Sequence, residues 1–177
     1  MANEILVKQG TTIVWTSSGG DLGITLTSLA NNAGRIGAVL DRGATHSRKM
    51  RFWVQVDFVT SAPTKGTTVD LYLATSDDNT NWDGGTTPTD AALGSVDTLP
   101  QYVFVGSIVL DDLLTPNQSA SFEIELGARY IAPIIYNNGT GQALTATGTD
   151  QIIRMTPIID EVEKHVKKKK KTKTENN

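Results

Sequence analysis

Apolar residues fall on every second position over most of this chain, and almost nowhere at the three-and-four spacing of a helix face. In "LGITLTS", Leu22, Ile24 and Leu26 share one face with Gly and Thr opposite. In "RFWVQVDFV", Phe52, Val54, Val56 and Phe58 point one way, and Gln55 and Asp57 the other. "TVDLYLA" sets Val69, Leu71 and Leu73 inward, and "SFEIEL" sets Phe122, Ile124 and Leu126 against Ser121, Glu123 and Glu125. Further strands are predicted over 12–16, 36–40, 102–110, 130–136, 143–147 and 151–155. The stretches between them, "SSGGD", "SAPTKG", "TPNQS" and "NNGTG", supply the Gly, Asn and Pro that turns require. Strands with one apolar and one polar face belong to antiparallel sheets packed on a single side. Nine or ten of them in about 150 residues predict an all-β fold, an antiparallel two-sheet sandwich of jelly-roll type.

Two segments break this rhythm. Residues 83–101, "DGGTTPTDAALGSVDTLPQ", form a long Gly/Thr/Pro-rich connection, of the length at which loops carry function or move. From residue 158 the pattern changes again: Ile158, Ile159, Val162 and Val166 have helical spacing and lead into Lys167, Lys168, Lys169, Lys170 and Lys171. The organisation expected is therefore one sandwich body over 1–157. Residues 158–177 then form an amphipathic segment, a short helix or extended tail, ending in a self-repelling lysine run. No repeat with a period of ~20–50 residues is visible, which argues against solenoids and propellers.

Composition narrows the function classes. A chain of 177 residues builds one well-buried core and is short for two. No apolar run approaches the ~20 residues of a membrane helix. "MANEILVKQG" lacks the basic-then-apolar order of a signal peptide, so synthesis in a cytoplasm is expected and the sequons at Asn117 and Asn138 carry little weight. Cysteine is absent, which excludes disulfides, thiolate metal sites and thiol nucleophiles. The net charge of −3 divides unevenly. From Asp160 onward seven lysines meet four acidic residues, against nine basic and fifteen acidic residues before it. The acidic body has no basic stripe with interleaved aromatics, which disfavours nucleic acid as its partner and leaves that option to the lysine run alone.

Candidate chemistry is thin. In "SDDNTNWDGG", Asp77, Asn79, Asn81 and Asp83 occupy alternate positions, as in the opening of an EF-hand loop. Trp82 stands where that loop requires Gly, and Pro88 where it requires the bidentate Glu, so a strand-to-strand turn is the stronger reading and calcium the weaker. Trp82 beside Asp and Asn also suits a sugar-binding platform, unless it folds back over a sheet edge. His46, in the polar bend "RGATHSRKMR", reads as a solvated loop histidine, since no nucleophile-elbow, zinc-protease or phosphate-loop motif accompanies it. Asp77/Asp78 and Asp111/Asp112 are adjacent in sequence, and neighbours on a strand face opposite sides. No catalytic or cofactor-binding residue is assigned, and an enzyme is not expected.

Three segments together resemble a family of small structural proteins of tailed bacteriophages and prophages. They are "LTSLANNAGRIGAVLDRGATH" (26–46), "GTTVDLYLATSDDNTNWDGG" (66–85), and a third running from "YVFVGSIVLD" to "IYNNGTGQALTATGTDQIIRMTPI" (102–158). The resemblance implies a virion component, a β-sandwich on the capsid or tail surface, with no catalytic residues to carry over. It makes "DDNTNWDGG" a turn between strands. The resemblance does not extend to the lysine run. The expectation is a non-enzymatic decoration or cement protein on the assembled head, a homo-oligomer and most plausibly a trimer, whose partners are the major capsid protein or other virion proteins. Trp82, Ile158, Ile159, Val162, Val166 and Lys167 to Lys171 are the candidate contact residues. The alternatives are a tail or fibre protein that reads host glycan through Trp82, or a carbohydrate-binding module.

Overall fold

The computed structural model describes residues 5–58, 61–114 and 117–162. Two sheets form in the described chain. In the first, β1 (Ile5–Gln9), β2 (Ile13–Thr16), β3 (Leu22–Gly23), β6 (Lys49–Val56), β10 (Gln118–Glu125) and β12 (Ile152–Val162) run in the order β10-β6-β12-β2-β3, with β1 on β12. In the second, β4 (Gly34–Ile36), β5 (Leu40–Asp41), β7 (Thr68–Ser76), β8 (Ala91–Ala92), β9 (Val103–Val109) and β11 (Tyr130–Asn138) run in the order β8-β4-β11-β7-β9, with β5 on β11. All pairings are antiparallel except β2 with β3.

The row β2-β12-β6-β10 belongs to one sheet and β4/β5-β11-β7-β9 to the other, and the chain changes sheet at every connection between these strands except β7 to β9. That is the strand order of an eight-stranded jelly roll. Between the sheets lie Trp15, Met50, Phe52, Val54, Val56, Val69, Leu71, Leu73, Ile131, Ile135, Ile153 and Met155, all at most 1% exposed. Trp15 Nε1 donates to Ala38 O at 2.9 Å, so the largest core side chain is also hydrogen-bonded.

Two prolines explain where strands break. Pro133 lies inside β11 and Pro157 inside β12, both central strands, where a missing N–H removes a ladder bond. Opposite Pro133 the neighbouring strand divides into β4 and β5, and opposite Pro157 it divides into β1 and β2. At each gap a glycine N–H donates to the proline carbonyl at 2.8 Å, Gly37 to Pro133 and Gly10 to Pro157. A Cβ on either glycine would come within 3.2 Å of the proline ring. The single strand expected over 36–40 is therefore two short ones.

Other expectations shift as well. Only Leu22–Gly23 of the 22–28 segment is strand, and residues 143–147 form a loop that buries Leu144 and Thr145. β1 was not expected from the pattern. Ile158, Ile159 and Val162 do not lie on a helix: β12 continues unbroken across residue 157 and pairs with β1 as far as Ile5↔Val162. Backbone pairing with β1 absorbs a segment that its apolar spacing assigned to a helix. Val166 and Lys167 to Lys171 lie outside the described residues. Among the described residues no helix is long and apolar enough to cross a membrane.

The middle of the second sheet is apolar on both faces. Its outer side carries Ile36, Tyr72, Ala74, Ala132 and Ile134, and the β7–β9 connection packs Trp82, Leu99 and Tyr102 against it. The long loop is thus a cover, built of short 3₁₀ segments at Asp83–Gly85 and Val96–Gln101 and of β8.

Candidate functional site

The β7–β9 loop begins with a turn that one carboxylate organises. Asp78 Oδ1 accepts from the backbone N–H groups of Thr80 and Asn81 at 2.8 Å each, and Oδ2 accepts from Asn81 Nδ2 at 2.7 Å. Ser76 Oγ in turn accepts from Asn79 N at 3.0 Å. This lets Asn79 adopt a left-handed φ of 61°, a conformation Asn tolerates. The donors from Asn81 and Thr80 hold the Asp78 carboxyl well below the usual carboxylate range.

The alternating set Asp77, Asn79, Asn81 and Asp83 is used differently from a metal loop. Asn81 spends its amide on Asp78, Asp83 accepts from the Thr75 hydroxyl, and Asp77 and Asn79 are exposed. Asp77, Asp78, Asn81 and Asp83 border an open hollow of about 660 Å³, closed on another side by Gly127 and Ala128 of the β10–β11 loop. Among the described residues no three His, Cys, Asp or Glu side chains stand close enough to hold a metal ion. Asp78, the residue that organises the loop, lies outside the alternating set.

Trp82 is 8% exposed, in contact with the outer face of the second sheet, and presents no platform to a sugar. It folds back to cover the sheet. Gly84, at φ 69°, makes room for this packing: a Cβ there would lie 2.3 Å from Tyr102 Cζ. Trp82 Nε1 and the Tyr102 hydroxyl are buried without a hydrogen-bond partner among the described residues.

Asp90 locks the far part of the cover. Its carboxylate accepts from Thr25 N at 2.7 Å, Thr25 Oγ1 at 2.8 Å and Arg35 Nε at 2.8 Å, while Arg35 Nη2 donates to Asp90 O at 2.6 Å. Burial pushes the Asp90 carboxyl up, but the Thr25 amide, the Arg35 guanidinium and the Thr25 hydroxyl outweigh it and the net shift is downward. Asp90 occupies a left-handed φ of 53°.

The β10–β11 loop that borders the hollow is held from its other side by the β5–β6 bend. Arg42 Nη1 donates to Ala128 O at 2.6 Å and Nη2 to Ser47 O. His46 is half-buried, not solvated, and its ring nitrogens lie 2.8 Å from Gly43 O and 2.9 Å from Gly127 O. Arg129 forms a bidentate pair with Asp41 at 2.7 and 2.8 Å, which, with Gly43 N–H, holds the Asp41 carboxyl at about 2. His46 and Arg42 thus serve as ties between loops.

Sequence reasoning missed Asp90, Arg35, Arg42 and the buried Asn137. Asn137 Nδ2 donates to Leu29 O at 3.0 Å and Gln142 O at 2.8 Å, and its Oδ1 accepts from Thr140 Oγ1 at 2.6 Å. The signal available was "YNNGTGQ", where an Asn precedes two glycines with positive φ, Gly139 and Gly141. No family model matches the chain, and no curated protein sequence is significantly similar to it.

Proposed function

We propose that the protein is a non-enzymatic structural component of a bacteriophage virion, a decoration subunit that binds the assembled head as a homo-oligomer. The observation that carries this reading is the jelly-roll strand order, an architecture shared by viral capsid and lectin domains, combined with the use made of its polar side chains. Asp78, Asp90, Arg42, His46 and Asn137 are each engaged in holding a loop. A rigid, loop-tied sandwich suits repeated attachment to a lattice, where many weak contacts sum to high avidity. The lectin branch of the same architecture loses its aromatic platform with the burial of Trp82.

The test is co-sedimentation of the full chain with DNA-free heads assembled from the major capsid protein encoded with it. Saturable binding with a fixed copy number per head supports the reading. Absence of binding, or a specific hit on a glycan array, overturns it. The same assay tests the lysine run: deletion of residues 164–177 should leave the melting point unchanged and weaken head binding most at low salt, because exposed charges are screened over ~8–10 Å near physiological ionic strength.

A further inference from the structure

Four of the six large hydrophobic side chains exposed among the described residues fall within eleven positions: Phe104, Val109, Leu113 and Leu114. They lie on β9 and in the connection that follows it. Among the described residues β9 is the edge of its sheet, with β7 on one side and no strand on the other. A bulge opposite Leu71/Tyr72 shifts the alternation, so that Phe104 faces outward beside Tyr72, and Ser107 and Val109 face outward beside Asp70 and Thr68. Phe104 is 55% exposed and Val109 70%. Its ring meets Tyr72 edge-on at 5.2 Å.

Charge distinguishes this edge from the other long one. β10 carries Glu123 and Glu125 on its outward face, matched by Arg51 of β6 and by Arg48 just before it. Charges of this kind keep an edge from pairing with another chain. On β9, nine consecutive residues from Tyr102 to Leu110 contain no charge and no proline. The acidic pair Asp111/Asp112 comes only after its end, with Lys65 at 2.8 Å from Asp111.

The geometry points to β9 as the surface through which a second copy of this chain docks, antiparallel and about a twofold axis near Ser107. Such an axis lays Val109 of each copy beside Phe104 of the other, an aromatic against a β-branched side chain, twice by symmetry. It also brings the Asp111/Asp112 end of one strand opposite the uncharged Tyr102–Val103 end of its partner. No like charges meet, which is why a second copy fits this edge where a charged partner gains nothing. The contact does not depend on the head-binding reading, and the unit it builds is a dimer, not a trimer.

The test is sedimentation equilibrium of the full chain over a wide concentration range, with Val109→Lys and Phe104→Lys compared. Both side chains are exposed, so both variants should keep the β-sheet fold, and that is checked by circular dichroism. The wild type is expected to be a dimer, with the dissociation constant raised about tenfold or more by either lysine, since each lysine sets a charge against the apolar side chain it would face in the partner copy. The cysteine-free chain allows a second readout. Under mild oxidation, a mixture of Phe104→Cys and Val109→Cys chains should cross-link to each other faster than either does alone. A monomer at all concentrations, a trimer, or a dimer indifferent to Val109→Lys and cross-linking overturns the proposal.

Discussion

The cover over the second sheet hangs on Asp90, and Asp90→Asn tests how firmly. Asparagine keeps the shape of the side chain and tolerates the φ of 53°, so the substitution changes charge without adding backbone strain. It leaves one oxygen to accept hydrogen bonds where the carboxylate serves three donors. Hydrogen bonds to a charged group contribute about 1.5–3 kcal/mol, against about 0.5–1.5 for neutral pairs. The Arg35 and Asp90 side chains are about a quarter exposed, at 25% and 26%, so the lower part of that difference applies, about 1–2 kcal/mol. In a domain of this size each kcal/mol moves the melting temperature by about 2–4 °C, giving an expected fall of about 2–8 °C at pH 7.

The pH dependence follows from the direction of the Asp90 shift. A carboxyl held below its unfolded value stabilises the fold in full above about pH 4–5, and the contribution is lost as pH falls through the folded value. The wild type should therefore descend toward the variant on acidification, with no rise of the variant to meet it. Scanning calorimetry at a series of pH values measures the gap. Hydrogen exchange at Thr25, whose amide donates to Asp90, reports whether the cover opens before the sandwich does. A variant that melts within about 1 °C of wild type at pH 7, or a gap that stays constant down to pH 3, would refute the reasoning.

Four further outcomes are expected. Asn137→Ala removes three buried side-chain hydrogen bonds and should cost about 2–4 kcal/mol in chemical denaturation, a loss under about 1 kcal/mol counting against the network. Asp57→Asn should raise the melting point at neutral pH and change nothing in acid: burial, with Asp150 nearby, pushes the Asp57 carboxyl up despite the Phe58 N–H, so the wild type loses stability as pH rises through that value. Melts in millimolar calcium and in excess chelator should coincide, because a binder present at a hundredfold excess over Kd would add about 2.7 kcal/mol, a shift too large to miss. Gly84→Ala should loosen Trp82, seen as a red-shifted emission component, because the new Cβ collides with the Tyr102 ring; unchanged emission and stability would contradict the packing.

The strands and their sheet faces were legible because alternation is a direct record of which side is wet. Phe52, Val54, Val56, Leu71 and Leu73 are buried between the sheets as their period of two requires. What alternation does not record is the partner. A missing N–H at Pro133 or Pro157 acts on the neighbouring strand, distant in sequence, and so the division of 36–40 into β4 and β5 could not be read from 36–40 itself. The end of β12 failed for a related reason. Ile158, Ile159 and Val162 carry a helix-like spacing, but backbone pairing with Ile5–Gln9 decides their conformation.

Trp82 shows the same limit at the candidate site, and here the missing information was on the page in another strand. A lone Trp among Asp and Asn reads as exposed only if the sheet face beneath it is polar. "YIAPIIY" in β11 does not alternate; it is apolar throughout, the signature of a strand covered on both sides. A face of that kind, carrying Ala132 and Ile134 outward, needs a lid, and among the described residues the only long connection that leaves and re-enters the same sheet is the one holding Trp82, Leu99 and Tyr102. Once that lid is in place, the central strands of the second sheet are sealed and its apolar exposure moves to the margin. The lid belongs to β4, β11 and β7, and Phe104 and Val109 of β9 are left outside it. The burial of Trp82 and the exposure of β9 are thus two consequences of one connection: the loop that removes the sugar platform leaves an uncharged edge open to a second copy of the chain.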